Sequence, residues 1–146
     1  MLGQFPDAPP DLLVSIEADV FTFRNPADAD LIDGSIGEGS PFHQTFGYYA
    51  HGVAEETARL PAGWKDRLVA VRNANIGTGC GLCLEVHDLA VAKLAAGREK
   101  DSLFVAGLLR HRLADASVIE SRLRQSPLAG QKLEAALARL KRLAQV

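Results

Sequence analysis

The chain of 146 residues lacks several features that would place it in a broad class of proteins. It has no run close to the roughly 20 apolar residues that a transmembrane helix requires. Its N-terminal segment, MLGQFPDAPP, has neither the basic start nor the apolar core of a secretory signal. Its net charge of -2 lacks the basic excess of dedicated nucleic-acid-binding domains. We therefore expect a soluble, cytoplasmic protein with no membrane partner.

Cysteine is also scarce, since the chain contains only Cys80 and Cys83. A redox dithiol with this spacing normally opens a helix directly after a strand, whereas here further residues intervene before the helical pattern begins. His87 would give a zinc ion only a third ligand. Two reduced thiols in or near the core are therefore the expected state.

The composition that is present suits a globular protein, with 47% hydrophobic and 23% charged residues. Strand-like alternation comes first, and the apolar period becomes helical near residue 86. We expect an α+β fold in a single domain, residues 1–146, with a small mixed sheet in residues 1–85 and helices in residues 86–146. Charge is also divided unevenly along the chain. Residues 1–84 carry 11 acids and 5 bases, and residues 85–146 carry 7 acids and 11 bases. This asymmetry suits a site for metal and phosphate, although solvated helix faces produce it too.

Alternation predicts extended segments at residues 12–20, 46–53, 67–73 and 81–86. Asn25 and Pro26 form a cap and a first-turn proline, which predict a short helix that ends by Gly34. The glycine-rich segment 34–42 lacks the lysine of a phosphate-binding loop, so we expect it to be a turn.

Helical periodicity predicts two helices near residues 86–96 and 101–111, the second burying Leu103, Phe104 and Leu108. A capping box at Ser117 and Glu120 predicts the start of a third helix, and Ser126 with Pro127 that of a fourth. The fourth helix carries an apolar stripe that either packs on the body of the protein or forms a homodimer contact: Leu133, Ala136, Leu137, Leu140 and Ala144.

An acidic pair interrupts the first predicted strand, LLVSIEADV. In an extended chain Leu12, Val14, Ile16, Ala18 and Val20 share one face, which we expect to face the core. Glu17 and Asp19 share the other face, where two like charges cost stability unless water or a cation relieves them. The pair therefore raises the question of a metal site.

A cluster of cations follows the first predicted helix, in the segment HDLAVAKLAAGREKD. Lys93 lies among alanines and leucines, and Arg98 and Lys100 follow the helix-ending Gly97. A lysine can reach a phosphate as a point charge and an arginine can bind it bidentately. Alternatively, Lys93 extends to solvent and Arg98 pairs with Asp101 across the turn.

The segments EVHDLAVAKLAAGREKD, GEGSPFHQTFGYYAHGV and SIEADV resemble a group of small bacterial proteins with a nucleotidyltransferase-like fold. The wider relatives of this group include minimal nucleotidyltransferases and the AbiEii-type toxins of toxin–antitoxin systems. The resemblance covers about residues 9–124.

This resemblance implies a metal-dependent transfer of a nucleotidyl group from a nucleoside triphosphate to an acceptor such as RNA or a protein hydroxyl. In that superfamily an acidic–hydrophobic–acidic triplet on a central strand binds a divalent metal, and Glu17-Ala18-Asp19 matches this triplet. Glu17 and Asp19 would then be catalytic ligands of Mg²⁺ or Mn²⁺. Lys93 and Asp101 match conserved positions of the site in the toxin relatives. Arg98 and Lys100, with Lys93, would then contact the nucleotide phosphates.

The chain also departs from the family pattern. Active members place a Gly-Ser pair before the acidic triplet, whereas here Gly34 and Ser35 follow it. A third carboxylate has no clear counterpart, with Glu85 as a candidate. We expect a family member without its first strand and turn, either because the start codon lies upstream or because the protein is degenerate. Two functions therefore stay open: a nucleotidyltransferase, or its inactive remnant in this truncated form, and a non-catalytic nucleotide- or protein-binding module.

Overall fold

The computed structural model describes residues 5, 7–13, 15–72 and 80–145. The chain divides into two compact units. We call residues 14–58 the inserted unit, and residues up to 13 together with those from 59 onward the helical unit. The predicted α+β class is confirmed, with a helical C-terminal region. In the described part of the chain the strands form two sheets of two strands each rather than one sheet. The single domain of residues 1–146 stays a prediction.

The inserted unit contains two strands and two helices: β1 (Glu17–Val20), α1 (Asp28–Ile36), α2 (Pro41–Phe46) and β2 (Tyr49–Gly52), followed by a 3-10 turn at Glu55–Thr57. β1 and β2 are parallel, and the two helices form the connection that a parallel pair requires. Helix α1 lies very close to β2, because a Cβ on Gly52 would be only 2.3 Å from the carbonyl oxygen of Ala29. Glycine is therefore required at position 52.

The helices of the inserted unit differ from the sequence prediction. Asn25 organises the start of α1, since its side-chain oxygen accepts from the Ala27 N–H at 3.3 Å. The helix then continues through Gly34 to Ile36, and not only to Gly34 as predicted. The expected turn at 34–42 also ends in a helix, because Ser40 caps α2 and proline occupies its first position. Because α2 extends to Phe46, the strand predicted at 46–53 is shorter than expected and corresponds to β2.

The predicted strand 12–20 is also shorter than expected. Pro10–Leu12 forms a 3-10 turn, as a proline with fixed φ favours, and the strand begins only at Glu17. Ile16 is 56% exposed and Val20 36% exposed, and Ala18 is exposed too. The expected core face is therefore wrong for these three residues, because among the described residues β1 pairs only with β2. Val14 lies outside the described residues.

The helical unit contains a 3-10 turn at Trp64–Arg67, an antiparallel pair of strands and four helices. The strands are β3 (Val69–Val71) and β4 (Gly81–Cys83), inside the predicted segments 67–73 and 81–86; residue 73 itself lies outside the described residues. The helices are α3 (Val86–Ala96), α4 (Glu99–Arg110), α5 (Ala116–Arg124) and α6 (Gly130–Leu143). No helix in the described ranges is long and apolar enough to cross a membrane.

One apolar core holds the helical unit together. All four helices contribute fully buried side chains, and Leu12 joins them from the N-terminal turn. The buried members include Val91, Leu94, Val105, Leu108, Ile119, Leu123, Ala136 and Leu140. Burial of a leucine-sized side chain contributes about 1.5–3 kcal/mol, so this core is the main source of stability in the unit.

The helix boundaries confirm some predictions and correct others. Helix α3 has the predicted bounds, and Gly97 ends it with φ of 69°, a conformation that favours glycine. Helix α4 buries Leu108 as expected, but Leu103 is 68% exposed because it lies on the opposite side from Val105 and Leu108.

The starts of α5 and α6 are also corrected. Asp115 caps α5 by accepting the N–H groups of Ser117 and Val118, so Ser117 is not the cap. The Ser126 hydroxyl donates to the carbonyl of Leu123 at the end of α5, and α6 starts only at Gly130. The stripe of α6 packs into the helical core, except for the exposed Ala144. The homodimer contact stays a prediction.

Candidate functional site

The acidic pair lies on one face of the parallel sheet. Register partners in parallel strands carry their side chains on the same face, and Glu17 pairs with Tyr49 while Asp19 pairs with His51. His51 Nδ1 lies 3.9 Å from Glu17 Oε1 and 3.8 Å from Asp19 Oδ1. The strands thus bring two carboxylates and an imidazole together, and we call these three residues the acidic cluster.

The acidic cluster has the donors for a divalent cation. One atom from each residue lies within 4.8 Å of the others. Two atoms bound to one ion lie within roughly 4.2 Å of each other, because each metal–ligand distance is about 2.1 Å. Both distances from His51 meet this limit, and the carboxylate oxygens of Glu17 and Asp19 lie within 4.8 Å of each other. The side chains of Asp19 and His51 are more than half exposed, so any ion here would keep several waters.

The pKa of the Tyr49 phenol indicates the sign of the charge on this face. Partial desolvation raises its pKa, and the negative charges of Glu17, Glu38 and Asp19 raise it further. Helix α2 supports the ring, since the centroids of His43 and Tyr49 are 4.7 Å apart. The face is therefore electronegative, which favours a cation.

The second group of predicted site residues lies in the helical unit. Asp101 is only 2% exposed in the first turn of α4. Arg98 Nε donates to its Oδ2 at 2.7 Å, and Lys93 Nζ lies 3.3 Å from its Oδ1. Burial alone raises the pKa of Asp101, but the hydrogen bond from Arg98 and the charge of Lys93 outweigh it, so the pKa lies below its ordinary value. Lys100 is exposed on the same helix.

The predicted residues thus fall into two groups. Glu17 and Asp19 come together in the inserted unit, and Lys93 and Arg98 surround Asp101 in the helical unit. The Arg98–Asp101 pair is the alternative that the sequence left open. A joint site for metal and triphosphate stays a prediction.

Sequence reasoning missed a buried ionic network in the helical unit. Asp88 on α3 is completely buried and accepts from two arginines. Arg67 Nε and Nη2 donate to Asp88 Oδ2 and Oδ1 at 2.9 and 3.0 Å, and Arg122 Nη1 donates to Oδ1 at 3.0 Å. The hydrogen bond to Asp88 raises the pKa of Arg67 still further above its ordinary value. An acid among the apolar residues of α3 was the signal that could have predicted this network.

Glu85 and His87 extend the same network. Glu85 caps α3, accepts from Arg122 and lies 2.6 Å from His87 Nδ1. The other ring nitrogen, Nε2, accepts the Asp115 N–H, so the neutral imidazole carries its proton on Nδ1. Burial raises the pKa of Glu85, but the bonds from His87 and Arg122 outweigh it and lower the pKa overall. Glu85, the candidate third carboxylate, therefore has structural partners.

His51 was also missed, since its proximity to Asp19 depends on the register of two strands far apart in sequence. Both cysteines are free, and Cys83 is half-buried at the end of β4. Cys80 is exposed, so its expected place in or near the core is wrong.

No protein-family model, curated protein or solved structure matches the chain. The resemblance to nucleotidyltransferases therefore stays a prediction from the sequence.

Proposed function

We propose that the chain is a nucleotidyltransferase-like protein of the cytoplasm that binds a divalent cation through Glu17, Asp19 and His51. The observation that carries the proposal is the convergence of two carboxylates and one imidazole on one electronegative face of β1 and β2. Carboxylates suit Mg²⁺ and Mn²⁺, whereas an imidazole suits transition metals better. The donor set therefore favours Mn²⁺ over Mg²⁺.

The proposed ligand of this cation is a nucleoside triphosphate. A bound cation would supply charge neutralisation and orientation for the phosphates. Glu17 and Asp19 would hold it, and His51 would complete the protein donors. In the transferase hypothesis Lys93, Arg98 and Lys100 contact the phosphates, Asp101 belongs to the catalytic set, and an RNA or protein hydroxyl is the acceptor. A role in a toxin–antitoxin system would follow from the family resemblance.

A specific observation favours the second candidate, a non-catalytic nucleotide- or protein-binding module. Asp101 is buried and already binds Lys93 and Arg98, so the three charges largely satisfy one another. Using these cations for phosphate would leave a buried carboxylate short of partners, which costs stability. This hypothesis retains the cation site and assigns the Asp101 network a structural role.

A melting experiment tests the cation site. We expect Mn²⁺ to raise the melting temperature of the parent, since a ligand at 100 times its dissociation constant stabilises the folded state by about 2.7 kcal/mol. The double variant Glu17→Gln, Asp19→Asn should lose the shift, and His51→Gln should reduce it for Mn²⁺ more than for Mg²⁺. Asp30→Asn, which removes an exposed carboxylate of α1, is the matched control and should keep it. An equal shift in parent and double variant would place the site elsewhere.

Nucleotide titration separates the two candidate functions. The transferase hypothesis predicts binding of ATP that depends on Mn²⁺ and weakens by about 1–3 kcal/mol in Lys93→Met and in Arg98→Met, with little loss of stability. If the parent binds no nucleotide while both variants lose several kcal/mol of unfolding free energy, the Asp101 network is structural and the transferase hypothesis is wrong.

A further inference from the structure

An open pocket in the helical unit is lined mainly by cationic and polar side chains. It measures about 350 Å³ and is lined by Arg67 and by one face of α5: Ser117, Val118, Ser121, Arg122 and Gln125. Residues of α5 spaced three or four apart share a face, which explains why Val118, Ser121, Arg122 and Gln125 meet here. Two guanidinium groups, two hydroxyls and one amide line the pocket, and among the residues that the structure describes no acidic one lines it.

The buried network behind the pocket fixes both arginines in place. Asp88 is completely buried and binds the Nε–Nη2 edge of Arg67 and the Nη1 of Arg122, while Glu85 also binds Arg122. Arg67 contributes one further bond, from Nη2 to the carbonyl oxygen of Ala62 at 3.0 Å. The carboxylates thus hold the cations without themselves lining the pocket. Such preorganisation lowers the ordering cost of binding a ligand.

Each guanidinium has donors beyond those that the network uses. An arginine has five N–H donors. Within the part of the chain that the structure describes, Arg67 uses Nε and Nη2 for its hydrogen bonds, so its Nη1 remains available as a donor. Arg122 uses Nη1, so its Nε and Nη2 remain available. Ser121 Oγ accepts from Gln125 Nε2 at 3.3 Å, so its own hydrogen is available to a ligand. The side chains that line the pocket therefore retain several donors.

We propose that this pocket binds a phosphate group, as a phosphate monoester or as free phosphate, through Arg67, Arg122 and Ser121. A tetrahedral oxyanion accepts several hydrogen bonds at once and matches the planar fork of arginine. The site is independent of the proposed cation site, because its donors belong to the helical unit and require no metal. The competing interpretation is a purely structural network in which the arginines only neutralise Asp88.

Titration with inorganic phosphate tests the site at constant ionic strength and with EDTA present, so the cation site does not contribute. We expect saturable binding by the parent, measured by calorimetry or by amide chemical shifts. Ser121→Ala removes one hydrogen bond to a charged ligand and should weaken binding about tenfold. Ser121→Asp places a carboxylate on the wall of the pocket and should abolish it. Ser121 is exposed, so both variants should fold, which unfolding curves would verify.

Exposed Ser35 of the inserted unit provides matched controls, since Ser35→Ala and Ser35→Asp make the same changes at a residue that does not line the pocket. Both should bind phosphate as the parent does. A parallel titration with AMP distinguishes the source of the phosphate: tighter binding than phosphate indicates a nucleotide monoester, and equal binding indicates free phosphate. Absence of saturable binding by the parent, or binding that Ser121→Asp leaves unchanged, would overturn the proposal in favour of the structural network.

Discussion

Replacement of Asp88 by asparagine should destabilise the helical unit by about 3 kcal/mol. The side chain is completely buried and accepts three hydrogen bonds from Arg67 and Arg122. Asparagine retains one acceptor oxygen but turns an amide N–H₂ towards a guanidinium donor. Removing one partner of a buried ion pair costs about 3–5 kcal/mol. The lower end applies here, since the side chains of Arg67 and Arg122 are 28% and 17% exposed and water compensates part of the loss.

Urea denaturation at pH 7 measures this change as a difference in unfolding free energy. Asp66→Asn removes the same charge from an exposed position next to Arg67 and should change stability by less than about 0.5 kcal/mol. The triple variant Arg67→Met, Asp88→Leu, Arg122→Met should be at least as stable as Asp88→Asn alone, because it leaves neither arginine without its partner. A loss below about 1 kcal/mol in Asp88→Asn would refute the reasoning.

Two further predictions concern stability. Because the pKa of Asp101 is lowered in the folded protein, its ion pairs stabilise the protein above the ordinary aspartate pKa and are lost as the pH falls below about 4. The stability difference between the parent and Asp101→Asn, measured by urea denaturation, should therefore shrink from pH 6 to pH 3. A constant difference would contradict this prediction. Gly52→Ala should lower the unfolding free energy by about 1–3 kcal/mol, because its Cβ would meet the backbone of Ala29. By the same assay Gly34→Ala, whose Cβ would meet open space in α1, should raise the unfolding free energy by up to about 1 kcal/mol. Equal effects would contradict the close approach of α1 to β2.

Local signals in the sequence predicted the helical unit better than the inserted unit. Helix α3 has the predicted bounds because an apolar period and a terminal glycine specify a helix locally. The starts of α5 and α6 were misplaced, because several Ser and Asp residues can act as caps and tertiary packing selects one. The pair Ser40 and Pro41 carries the same signal as Asn25 and Pro26, and reading it would have predicted α2.

The candidate sites depend on contacts that no local pattern encodes. Alternation placed Glu17 and Asp19 on one face, but only the register of β1 with β2 adds His51. Proximity in sequence suggested the pair of Arg98 with Asp101, whereas the network of Asp88 joins residues separated by 21 and 34 positions. Its members became recognisable as partners only once the helices were packed.

The discontinuity of the helical unit has a consequence for synthesis on the ribosome. Leu12 lies beside Gly107, and Asp11 accepts from Arg110 at a separation of 99 residues. Residues 14–58 all leave the ribosome before α4 is translated. The inserted unit can therefore fold before the N-terminal turn can pack against α4. Until α4 is translated, the apolar side chain of Leu12 has no core to enter and is available to chaperones.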